Sequence, residues 1–330
     1  MRGQTWRAAL FLLVAPGLLA EVVSQNTSLA EYFSPVTFML GSLTYGVPVL
    51  LIREIAAARG LGVAGIAILG IAYGILNEGV IARTLTQASG PPLFDFAGYG
   101  QAGPIQSGWT IFMLAWHALH SVLYPILFAR WLYPAAASGP WFATGAARWV
   151  RYPIGVAMVG LYALYFLNPP GGDLGIFLLY AAVTAALVLV SLRFGNRDVA
   201  SPRPNTVSWP ALAGMSTAIL YLGALAAPGH IPFAWYALAF AATVALAIFG
   251  VRHAGWRPLP ELLRFGLGDY LGFIVLGAAL AVTTRPEPLQ SVIAGVVFVV
   301  AFGAFMRATA RQPDGRGVNA RLATVAMEDT

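Results

Sequence analysis

The sequence contains no cysteine and no lysine. Without cysteine there is no disulfide framework, no thiol nucleophile and no thiolate-ligated metal. All 19 basic residues are therefore arginine. Charge of either sign is scarce: only 10% of the 330 residues are charged, against about a quarter in soluble domains. The formal net charge of +6 is carried by arginines that stand singly between apolar runs. They form no basic stripe. That argues against a nucleic-acid partner and makes orientation in a bilayer their expected role.

What is abundant is apolar surface, at 58% of residues. A helix needs about 20 apolar residues to cross the hydrocarbon core. Ten segments meet that length closely: 8–23, 34–52, 61–81, 109–129, 152–167, 174–192, 209–227, 233–251, 263–282 and 289–306. Turn-forming stretches separate several of them, such as NPPGGD at 168–173 and PGHIP at 228–232. The runs are continuous rather than alternating, which disfavours strands. The predicted fold class is all-α: a polytopic integral membrane helical bundle of about ten transmembrane helices. One transmembrane domain covers residues 1–306. The polar tail, 307–330, is expected to be disordered and cytoplasmic.

The arginines orient the bundle. Only Arg83 and Arg285 fall on one side; the other 17 of the 19 fall on the opposite side. The positive-inside rule then places both termini in the cytoplasm, in a cell membrane. The first segment, MRGQTWRAALFLLVAPGLLAE, also has the basic start and short apolar run of a signal peptide. Retained or cleaved, it leaves span two running from outside to inside. No internal repeat of the kind found in many transporters is visible.

Against this background, AYGILNEGVIAR (72–83) and AWHALHS (115–121) stand out. Glu78 is expected about one turn below the outer surface, with Asn77 beside it. Gly70, Gly74 and Glu78 share one face of span three, so a neighbouring helix can approach closely there. In span four, His117, His120 and Tyr124 are spaced i, i+3, i+7 and are expected to form one stripe, followed by Pro125, a kink former. Glu78 and His117 come from antiparallel neighbours at similar depth, so a contact between them is expected. Glu21, Arg83 and Asp95 are placed at the same outer level. Arg53 and Glu54 are assigned to the inner boundary as anchors, and Asp269 to a structural pair with Arg264. Ionisable groups inside a membrane are costly, so they face a partner or a cavity and mark function.

The phrases YGVPVLLIREIAAARG, LGIAYGILNEGV and WHALHSVLYPILF resemble a family of uncharacterised polytopic membrane proteins. The acidic end of span three is more distantly similar to the CAAX-protease and bacteriocin-processing intramembrane glutamate proteases. That resemblance implies Glu78 as the motif Glu, Arg83 as the motif Arg and His117 as the motif His. Asn77 or Gly79 stands where a second Glu belongs, and no later intramembrane His follows.

Four functions are consistent with these residues. The preferred one is an intramembrane hydrolase with a site opening to the outer face, acting on a peptide or lipid from that face or from the bilayer. Its catalytic residues would be Glu78, His117 and His120, supported by Asn77, Arg83, Glu21, Asp95 and Tyr124, without a cofactor. The alternative is a transporter or channel for a small solute or lipid, using the same cluster. A third is a divalent-metal enzyme with Glu78, His117 and His120 as ligands. A fourth is a membrane scaffold.

Overall fold

In a computed structural model of the chain, the described residues are 2–22, 27–86, 96–136, 139–142, 174–194, 227–253, 263 and 265–272, with isolated positions at 214, 217, 293, 296, 297, 300 and 304. Among them, five helices are long and apolar enough to cross a membrane: Gly3–Val22, Pro35–Arg59, Val63–Ile81, Ser107–Leu132 and Leu174–Ser191. Each lies within a few residues of a predicted span. The predicted spans at 152–167, 209–227 and 289–306 and the tail lie outside the described residues, apart from the isolated positions. So do Asp95 and Arg264.

Span two differs most from expectation. It continues past residue 52 to Arg59, carrying Arg53 and Glu54 inside a helix, and stops where Gly60 adopts φ 58°. A glycine in left-handed backbone is the usual helix stop. A short ladder, Gln101–Ala102 against Ile105–Gln106, adds strand to a loop expected to have none. Gly103 opens its two-residue turn at φ 59°, a conformation that costs glycine least.

Spans one to four pack closely because small residues stand where they cross. A Cβ on Gly46 would collide with the Leu13 carbonyl oxygen. On Gly70 it would lie 2.7 Å from Ala118 Cα, and on Gly74 3.1 Å from His117 Cβ. The glycine face of span three therefore seats span four, in the way small-residue spacing allows. By contrast, Leu174–Ser191 leaves Leu174, Leu178 and Leu189 exposed, a surface suited to lipid.

Two apolar clusters fill the interior. One contains Leu12, Val49, Ile66, Leu69, Val122 and Phe128; the other contains Ile75, Val80, Phe96, Trp109, Phe112 and Trp116. Along span four the boundary falls between Trp116 and Val122. Here the helices also change winding. Leu18–Val22, Ser42–Gly46, Ile75–Ile81 and His117–Leu123 are π-helical. The amide of Tyr124 bonds Leu119 O, that of Ala82 bonds Asn77 O, and that of Val47 bonds Ser42 O, each five residues back. Such wide turns are rare and concentrate at functional sites.

Candidate functional site

Each of the four π turns carries polar side chains of one layer. Ile75–Ile81 presents Asn77 and Glu78; His117–Leu123 presents His117, His120 and Ser121. His117 Nε2 lies 2.7 Å from Glu78 Oε1, with the imidazole fully buried and Glu78 only 5% exposed. The other ring nitrogen, Nδ1, is 2.9 Å from Ser121 Oγ. Asn77 Nδ2 is 3.1 Å from Glu78 Oε1 and 3.3 Å from His117 Nε2. The second carboxylate oxygen of Glu78 accepts a hydrogen bond from the Thr84 hydroxyl. The buried carboxylate and imidazole are thus held by hydrogen bonds, as a dry interior requires.

The amide of Asn77 suits a mobile proton. When the proton sits on His117, Asn77 can donate to Glu78 Oε1. When it sits on Glu78, it occupies the lone pair of Nε2, and Asn77 keeps its bond to Oε1. Tyr45 and Tyr73 enclose the imidazole: Tyr45 stacks on it at 5.9 Å and Tyr73 meets it edge-on at 5.3 Å. Tyr73 Oη donates to Thr44 O at 2.6 Å. Tyr45 donates to Glu21, whose other oxygen accepts from Thr27 Oγ1 at 3.2 Å. Glu21 therefore joins the layer through a tyrosine from span two.

Arg83 lies just beyond the π turn of span three at φ 63°, left-handed backbone that a non-glycine residue rarely adopts. It reverses the chain so that Thr84 faces Glu78.

His120 does not share a stripe with His117. Its Nε2 lies 2.9 Å from Asp269 Oδ2, and Tyr124 Oη donates to the same oxygen at 2.8 Å. The physical reason is the π turn. It is wider than the 3.6-residue α turn, so a three-residue step falls further short of a full circle. A four-residue step stays near one turn, and the side chains accordingly group as His117 with Ser121 and His120 with Tyr124. Asp269 thus has partners on span four; the pairing expected with Arg264 falls outside the described residues. Among the described residues no group of three or more His, Asp or Glu side chains is arranged to hold a metal ion.

Sequence reasoning missed Ser121, Thr84, Tyr45 and the Asp269–His120 contact. Ser121 was findable as the i+4 neighbour of His117. The 149-residue separation of His120 and Asp269 (269 − 120) carries no periodic signal.

At the opposite end, Arg53 was expected to reach out from its helix but folds inward and is 3% exposed. Its guanidinium pairs with Glu54, donates to Ala136 O at 3.0 Å and lies 3.6 Å from the Trp141 ring centroid. Glu54 accepts the backbone amides of Trp141 and Phe142, each at 3.0 Å.

These features define a class: an α-helical membrane protein whose first four spans bury an ionisable layer. Residues 9–327 match the profile of an uncharacterized membrane protein family, and the chain belongs to that family. No curated protein and no solved structure matches it. The resemblance to the CAAX proteases gains no support from these comparisons.

Proposed function

We propose that the protein is a proton-coupled transporter of the cell membrane, with Glu78 and His117 as its proton-exchanging pair. The reading keeps ten spans and cytoplasmic termini, so that Glu78 is reached from the outer face. The single observation that carries it is the Glu78–His117 contact of 2.7 Å between two buried groups, spanned by an Asn77 amide that can serve either proton position. Tyr45 and Tyr73 cover the imidazole, so a proton has readier access to this pair than a peptide or lipid. Four wide turns at one level add supporting weight, because interrupted helices commonly frame transport sites. Ionisable residues in chains through a membrane commonly serve as proton relays. The reading requires no metal or cofactor; the coupled cargo is a small solute or lipid.

The test is a pH-jump measurement on liposomes carrying the full chain, adsorbed to a solid-supported membrane. A transient charge displacement is expected from the native protein, and its loss in Glu78→Gln. Native protein that gives no more signal than empty liposomes overturns the reading.

The hydrolase reading retains one observation in its favour. Glu78, His117 and Ser121 follow one another as carboxylate, imidazole and hydroxyl, at 2.7 and 2.9 Å. That order can activate a serine. Covalent labelling of Ser121 by a fluorophosphonate, lost in Ser121→Ala, would establish it over transport.

A further inference from the structure

We infer that Asp269, His120 and Tyr124 form a second proton-binding site, distinct from the Glu78–His117 pair. The two sites lie on one helix but face different neighbours. His117 meets span three, while His120 meets the segment 265–272. The existence of the second site is independent of the transport reading; only its role in carrying protons rests on that reading.

The geometry is that of a built site. Asp269 is fully buried and His120 is 1% exposed, at 2.9 Å between Oδ2 and Nε2. Tyr124 Oη, 2.8 Å away, donates to the same oxygen. Asp269 Oδ1 is buried and meets no hydrogen-bond donor among the described residues. Oδ2 thus holds the tyrosine hydrogen bond and the close imidazole contact, and Oδ1 is the atom on which a further proton can settle. Glycines bring the segment this close. A Cβ on Gly214 would lie 2.8 Å from Asp269 N, and one on Gly266 3.1 Å from the Tyr124 ring.

The surroundings are aromatic. Trp116 stacks on His120 at 3.9 Å; Tyr124 and Tyr270 meet it edge-on at 5.3 and 5.2 Å. Among the described residues, the titratable groups shown facing the imidazole are Asp269, Tyr124 and Tyr270. In such surroundings a lone buried charge is strongly disfavoured, so the carboxyl and the imidazole must balance each other's charge. Gain or loss of a proton changes the charge of the site, which is the property a relay station needs. A buried neutral hydrogen bond between helices would serve packing equally well, so titration is the distinguishing property.

The experiment follows protonated-carboxyl stretching bands by infrared difference spectroscopy of the full chain in liposomes, titrated with pH. Separate components from the buried Glu78 and Asp269 are expected beside those of the other acidic residues. Asp269→Asn should remove one and leave the other; Glu78→Gln should do the reverse. Tyr124→Phe deletes only a hydroxyl, so folding is retained. With a donor to the carboxylate gone, the Asp269 band should shift in frequency. His117→Asn should leave that band in place. If Asp269→Asn removes no band, or if Glu78→Gln removes both, the second site is overturned. If both bands titrate but the pH-jump signal is absent, the second site stands and the transport reading fails.

Discussion

Two buried charge pairs occupy opposite ends of the same four helices, and they are constructed differently. Arg53 and Glu54 are neighbours in sequence, and their other bonds go to the loop at 136–142: one carbonyl, two amides and an indole face. Glu78 and His117 come from different helices, and their bonds go to side chains that exchange or reorient: Asn77, Thr84 and Ser121. Backbone partners have fixed donor and acceptor roles, so the first pair is a fastener. Hydroxyls can swap roles, and the Asn77 amide can stay on Oε1 in either proton position, so the second pair can change protonation without losing its bonds. Burial alone does not mark a functional charge; the adaptability of its partners does.

That contrast can be broken by measurement. The largest stability effect is expected for Arg53→Ala, which strands Glu54 and should cost about 3–5 kcal/mol. Thermal unfolding in detergent should show it, with the pH-jump signal per folded molecule retained. Glu78→Gln should behave in the opposite way. It keeps shape and hydrogen bonding, so stability should change by only about 1 kcal/mol, while the pH-jump signal falls at least about tenfold. If Glu78→Gln unfolds the protein as readily as Arg53→Ala does, the two pairs are both fasteners and the contrast is void.

Gly70→Ala pushes a methyl toward Ala118, 2.7 Å away. Overpacking of that kind costs about 1–3 kcal/mol. Because it pries span three from span four, it should weaken the Glu78–His117 contact as well as the fold; a mid-sized loss in both assays is expected. The smallest effect is expected for Thr84→Val. It removes one hydroxyl donor to Glu78 and should cost about 1 kcal/mol. The missing donor should shift the infrared carboxyl band of Glu78. A band left in place would contradict that bond.

Much of this was legible before any coordinates. Spans one to four and the Leu174–Ser191 helix follow from long apolar runs, because hydropathy over about 20 residues is a local property. The Glu78–His117 meeting was expected from antiparallel neighbours and from glycines that let them touch. What was illegible is non-local or depends on helix winding. Nothing in the spacing of His117, His120 and Tyr124 announces a π turn, so an α-helical stripe was expected, and His120 was grouped with His117. Asp269 was read against Arg264, which lies outside the described residues; its contacts with His120 and Tyr124 had no local clue. Arg53 was read as reaching outward because its partners, Ala136 and Trp141, lie more than 80 residues away.

The four wide turns carry one more consequence. In an unbroken α-helix every position is locked in phase with every other, so repacking one end rotates the far end too. A surplus residue at a single level in each of four helices breaks that lock. In spans two and four, where helix continues on both sides of the wide turn, the two flanks can drift separately under selection for lipid fit and tight contact; in spans one and three the wide turn closes the helix and sets the aim of Glu21 and Glu78 locally.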